Sequence, residues 1–219
     1  MRRVVRSAIL ATSVAVALAA PATAAPVLLD GGFESPAVTP GQGVYPLGPL
    51  AGWSFGTDTG IINATAAGPW YGAVSPSGFD GSQYGFVQRS GVLSQTFTAP
   101  ATGTFDLSWL EGSRPNYFGT DGNQTYEVLL NGSLLGTFST LSGQNFVPES
   151  IVSDVTLAAG SVNTLSFAGQ TPTDSTVFLD DVAASVGGIT SGASPVPEPA
   201  SFAVLAVGLL GLRTLRRRG

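Results

Sequence analysis

Through the middle of the chain, apolar residues fall at every second position, in short runs that end at turn residues. In Thr104-Phe105-Asp106-Leu107-Ser108-Trp109, the residues Phe105, Leu107 and Trp109 share one face of an extended backbone. Tyr126 to Leu130 and Ser133 to Phe138 flank Asn131-Gly132. Asn-Gly between two apolar runs predicts a hairpin, because a type I′ turn needs positive φ at both central residues. Further strands are predicted over 92–97, 151–157, 163–169 and 177–186, with turns at Asp80-Gly81 and Asp121-Gly122. No window of this region sustains a 3.6-residue apolar period. The pattern therefore predicts an all-β domain, an antiparallel β-sandwich, over residues 25–186. Trp53 and Trp109 fall in strand patterns and belong to its expected core.

Two segments break this pattern, one at each end, and both are continuously apolar. Ser7 to Ala20 follows Arg2, Arg3 and Arg6 and precedes Ala22-Thr23-Ala24. A positive start, an apolar stretch and small residues at the cleavage position predict a signal peptide over 1–24. Residues 187–195 are rich in Gly and Ser and read as a flexible linker to a tail at 196–219. In the tail, an apolar run from Ser201 to Leu212 is followed by Arg213, Arg216, Arg217 and Arg218. A helix over this run would be roughly 20 Å long against a hydrocarbon core of about 30 Å. Flanking arginines can extend its reach and hold the C-terminus in the cytoplasm. A short transmembrane helix and transient anchoring in the inner membrane are expected.

Charge and chemistry narrow the function classes. Between leader and tail there are two arginines, Arg89 and Arg114, against thirteen acidic residues, a net charge of −11. So negative a surface repels phosphate backbones, which excludes nucleic acid as a partner. With neither Cys nor His in the chain, disulfides, thiolate nucleophiles, Ser-His-Asp triads and His-ligated metal sites are all ruled out. Glycosidase chemistry needs two carboxylates converging on one bond. Asp180 and Asp181 are neighbours on one predicted strand and point to opposite faces, and nothing pairs Glu111 with Glu127. A non-catalytic domain is expected.

Long connections lie over 36–50, 62–79 and 114–125. A compact domain keeps long connections mainly for binding. These hold Trp70 and Tyr71 in one and Tyr117 and Phe118 in another, with Arg114 and Asn116 beside the second pair. Aromatic rings stack on the apolar faces of pyranoses, so these six residues are candidate ligand contacts. Packing within the loops is the competing use for the rings, and ion pairing for Arg114.

Two stretches resemble known families. Val196-Pro197-Glu198-Pro199, the apolar run and the terminal Arg216, Arg217 and Arg218 resemble the PEP-CTERM sorting signal of exopolysaccharide-producing Gram-negative bacteria. That resemblance implies an exosortase as processing partner, and a place on the cell surface or in the extracellular matrix. The opening Asp30-Gly31-Gly32-Phe33-Glu34, the closing Leu179-Asp180-Asp181-Val182 and the central Asp80-Gly81-Ser82-Gln83 and Leu93-Ser94-Gln95-Thr96-Phe97 resemble galactose-binding-like jelly rolls, including carbohydrate-binding modules. By that resemblance the ligand would be an extracellular polysaccharide. No cofactor is required, but a structural Ca²⁺ would take Glu34 and Asp181, or Asp180, as carboxylate ligands. Two side chains do not complete a shell of six to eight oxygens, and edge or capping roles fit the same carboxylates. A structural matrix protein without a defined small ligand is the alternative function.

Overall fold

The computed structural model describes residues 27–67, 76–115 and 123–187. The signal peptide, the linker beyond Gly187, the sorting tail and the candidates Trp70, Tyr71, Asn116, Tyr117 and Phe118 lie outside the described residues. Within them the regular structure is all β: β1 (Gly43–Val44), β2 (Gly48–Leu50), β3 (Trp53–Phe55), β4 (Thr59–Asn63), β5 (Gln83–Gln88), β6 (Val92–Thr98), β7 (Gly103–Ser113), β8 (Thr125–Leu130), β9 (Ser133–Ser139), β10 (Val147–Leu157), β11 (Val162–Gly169) and β12 (Thr176–Val186).

The strands form two six-stranded antiparallel sheets, ordered β1-β4-β5-β12-β7-β10 and β2-β3-β6-β11-β8-β9. The last eight strands pair first with last: β5 with β12, β6 with β11, β7 with β10 and β8 with β9. This is one long ribbon, closed at the Asn131-Gly132 hairpin and rolled so that successive pairs fall in alternate sheets. Such a winding defines a jelly roll. The hairpin has the positive φ that its sequence demands, 54° at Asn131 and 79° at Gly132. β1 and β4 widen the first sheet, and β2 and β3 widen the second.

The alternating residues meet between the sheets. Trp53, Phe33, Phe105, Trp109, Tyr126 and Phe167 are buried in one continuous core. One polar network is buried with them. The Trp109 indole N–H donates to Tyr126 Oη at 2.9 Å, the Tyr126 hydroxyl donates to Glu111, and Gln144 Nε2 donates to Glu111 at 3.1 Å. Burial raises the Glu111 carboxyl above its ordinary range.

Three expectations need correction. The loop predicted over 36–50 contains β1 and β2, which are too short to carry an alternating pattern. β4 and β5 were not among the expected strands because each is buried at every position. Their outer face lies under a second cluster in which Ile62, Tyr84, Phe86 and Phe178 pack against Phe146 and Phe79. A strand covered on both sides loses its polar alternation. β7 and β10 also run further than predicted, to Ser113 and back to Val147. Pro148 is tolerated there because β10 is an edge strand.

Candidate functional site

One end of the sandwich gathers the connections β3–β4, β5–β6, β7–β8 and β11–β12. Antiparallel pairing brings them together, since the end of β5 and the end of β7 both lie beside the start of β12. Arg89 sits in the tight turn after β5 at φ 50°. Its N–H donates to the Ser175 carbonyl at 2.9 Å, and its own carbonyl accepts from Gln124 Nε2 at 2.8 Å. Its guanidinium lies 3.2 Å from Asp58 and 3.8 Å from Asp174. Arg114 lies 2.9 Å from the same Asp174 carboxylate oxygen and donates to the Asp174 carbonyl at 2.9 Å. Gln88 Nε2 also donates to the Asp174 carboxylate.

Beside this network stands Tyr45. Its hydroxyl donates to Gln88 Oε1 at 3.2 Å, and its ring meets Phe86 edge-on with centroids 5.0 Å apart. The ring is 44% exposed, and Leu47 next to it is more exposed still. Partial burial pushes the Tyr45 phenol up to about 12, so it stays protonated and a donor. A half-exposed aromatic ring beside fixed donors and acceptors can hold a sugar: the ring takes the apolar face, and the polar groups take the hydroxyls.

Of the six sequence-predicted ligand residues, the described structure contains Arg114, which is buried and ion-paired with Asp174. Tyr45, Gln88, Asp58, Arg89 and Asp174 were not anticipated. The one usable signal was Arg89, the only other arginine between leader and tail.

The candidate metal ligands lie away from this end, where the N-terminal segment crosses β12. Val182 N–H donates to the Gly31 carbonyl at 3.0 Å, and the register of β12 shifts between Asp180 and Ala183. Asp181 occupies the irregularity with φ 48° and is exposed, whereas Asp180 is completely buried. Asp180 accepts from the Asp80 and Asp181 N–H groups, each at 2.8 Å. Glu34 accepts from the N–H groups of Ser82 at 2.6 Å and Gln83 at 2.8 Å, and from the Ser82 hydroxyl at 2.7 Å. A Cβ on Gly32 would lie 3.7 Å from Asp180 Oδ1 and 3.9 Å from Glu34 Cγ, so Gly32 sits between the two side chains while the Glu34 carboxylate turns toward Gly81, Ser82 and Gln83. Burial pushes the Asp180 carboxyl up to about 7, and the charges of Asp181 and Glu34 add to the effect against the two N–H bonds. Asp30, in the same turn, is raised mainly by burial.

No group of three or more metal-ligating side chains converges among the described residues. The pair Glu34 and Asp180 fits a cation in sign, because both described arginines are engaged at the loop end. A Ca²⁺ held there would draw the rest of its shell from backbone carbonyls and water.

An all-β jelly roll carrying an export-and-sorting tail is the class that these observations define. Residues 195–218 match the PEP-CTERM protein-sorting motif, which implies export and a place at the cell envelope. No curated protein matches the chain. Among solved structures it is similar to a CBM61 carbohydrate-binding module in complex with β-1,4-galactotriose (TM-score 0.42, 15% identity, 74% of this chain and 99% of that one). It is similar also to a family 35 carbohydrate-binding module from Clostridium thermocellum (TM-score 0.39, 18% identity, 60% and 96%). A third similar structure is the K1 cleaved adhesin domain of Lys-gingipain from Porphyromonas gingivalis W83 (TM-score 0.46, 15% identity, 72% and 96%).

Proposed function

We propose that this is a non-catalytic carbohydrate-binding protein of a Gram-negative bacterium. An exosortase processes it at the inner membrane through Pro197-Glu198-Pro199 and the Arg216–Arg218 cluster, and it then holds extracellular polysaccharide at the cell surface or in the matrix. The observation that carries the binding reading is the exposed Tyr45 ring set against the Gln88, Asp58, Arg89 and Asp174 network. Trp70, Tyr71, Asn116, Tyr117 and Phe118 are proposed as further contacts, and Arg114 as the buried support of Asp174. A Ca²⁺ between Glu34 and Asp180, with Asp181 alongside, is proposed as a structural ion that ties the first turn to the last strand.

The absence of catalysis is supported by how the buried carboxyls are used. Glu111 is held inside the sandwich by Tyr126 and Gln144, and Asp180 is held by two backbone N–H groups. Neither is paired with a second carboxylate across an open cleft, as a glycosidase requires. The test is a glycan array and polysaccharide pull-down with the mature protein, alongside Tyr45→Ala and Trp70→Ala/Tyr71→Ala variants of unchanged melting temperature. Binding that the variants lose supports the reading. A mature protein that retains no polysaccharide sinks it and leaves a matrix protein without a small ligand.

A further inference from the structure

Resting on that reading, the charge arrangement at the loop end says which polysaccharides the site takes. We infer that it selects uncharged glycans over uronate-, sulfate- or phosphate-bearing ones, and that Asp58 and Asp174 set this selection by neutralising Arg89 and Arg114.

Recognition of an anionic sugar rests on guanidinium forks with free N–H edges. Here both arginines are committed. Arg114 has a side chain only 9% exposed and is fastened to the Asp174 carboxylate and carbonyl. Arg89 is 47% exposed, with one carboxylate at 3.2 Å and a second at 3.8 Å. Among the described residues, two positive and two negative groups therefore sum to zero at the site.

Beyond it the domain carries every other acidic residue between leader and tail and no further cation, so its field repels a polyanion. Screening at physiological salt extends about 8 Å, which confines any attraction to the site itself, where none is left over.

A neutral sugar asks for something different. Each hydroxyl both donates and accepts, so it needs carboxylate acceptors and guanidinium donors side by side. The partly exposed Asp58, Asp174 and Arg89 supply both, linked to Tyr45 through Gln88.

The experiment uses the full mature protein and matched probes: a panel of acidic polysaccharides, each beside its carboxyl-reduced counterpart with the same backbone. For backbones that bind, the reduced form should bind at least about tenfold tighter at low salt, with the gap narrowing as salt is added. Asp58→Asn leaves Arg89 only its 3.8 Å contact with Asp174 and should raise binding of the acidic form several-fold, with a steeper salt dependence. Asp58→Glu should restore the neutral preference. Melting curves confirm that these surface variants are folded. Equal or tighter binding of the acidic forms by the unaltered protein overturns the selection, as does an Asp58→Asn profile that does not change, and both leave sugar binding standing. If neither form of any backbone binds, and Tyr45→Ala alters nothing, the glycan reading falls and takes this inference with it.

Discussion

The loop end and the β12 irregularity use the same carboxylate chemistry in opposite ways. At the loop end, Asp58 and Asp174 are partly exposed and neutralised by arginines. Where the N-terminal turn meets β12, Asp180 is fully buried, is satisfied only by backbone N–H groups, and has other carboxylates nearby. The first arrangement is cheap to keep and sensitive to salt. The second makes folding depend on pH and on any cation that reaches it. A charge count alone does not distinguish them; what differs is the compensation each carboxylate finds.

The largest effect expected from this contrast is at Asp180. Its folded value near 7 stands above the unfolded 3.8, so ionising it costs the folded state more than the unfolded one. Stability should therefore fall as pH rises from about 4 to about 7, by about 4 kcal/mol in metal-free buffer. Denaturant titrations of the wild type and of Asp180→Asn across that range check this, and the variant should lose most of the slope, keeping the smaller part that Glu111 and Asp30 contribute. A wild type with as little slope in EGTA would mean that Asp180 is not held in the way described.

Next in size is the cation. Ca²⁺ at a hundredfold excess over its dissociation constant should add about 2.7 kcal/mol and remove most of the acid-side dependence. Thermal melts in Ca²⁺ and in EGTA decide the matter, and equal midpoints would remove the metal from the picture.

Tyr45→Ala comes third. Losing a stacked ring at the centre of a site weakens binding by about 2 kcal/mol, close to thirtyfold. Calorimetric titration with whichever polysaccharide the pull-down retains gives the value. The melting temperature should hardly move, because the ring is already 44% exposed.

Smallest is the stability effect of Asp58→Asn. An exposed ion pair contributes less than about 1 kcal/mol, and salt screens it. A larger loss on denaturation would show that the pair fastens the loop as well as setting its charge.

Much of the fold was legible in the chain, and the limits have physical causes. β6, β8, β9 and β11 were anticipated to within a residue at either end, because each has one face in the core and one toward water, and so was β12, whose second half alternates although its first five positions are all buried. β4 and β5 escaped because Phe79 and Phe146 bury their second face, a tertiary fact without local trace. Trp53 and Trp109 were placed correctly in the core, as large rings in strand patterns. The loop-end network was not legible. Tyr45, Asp58, Arg89, Arg114 and Asp174 come from five separated connections, and only the rolled ribbon brings them together. Glu34 and Asp180 are named by a resemblance alone; in the fold Asp180 Oδ1 lies beside Gly32, whereas the Glu34 carboxylate accepts from Ser82 and Gln83.

β12 also fixes a direction. Asp174 stands just before this eleven-residue strand and Gly187 just after it, where the chain leaves toward the sorting tail. At about 3.3 Å per residue, the strand between them is roughly 35 Å long. The strand thus carries the chain from the end that holds Tyr45 and the Arg89–Asp174 network to the opposite end, at Gly187. That length is several screening lengths, so charge beside Gly187 does not reach the Arg89–Asp174 network.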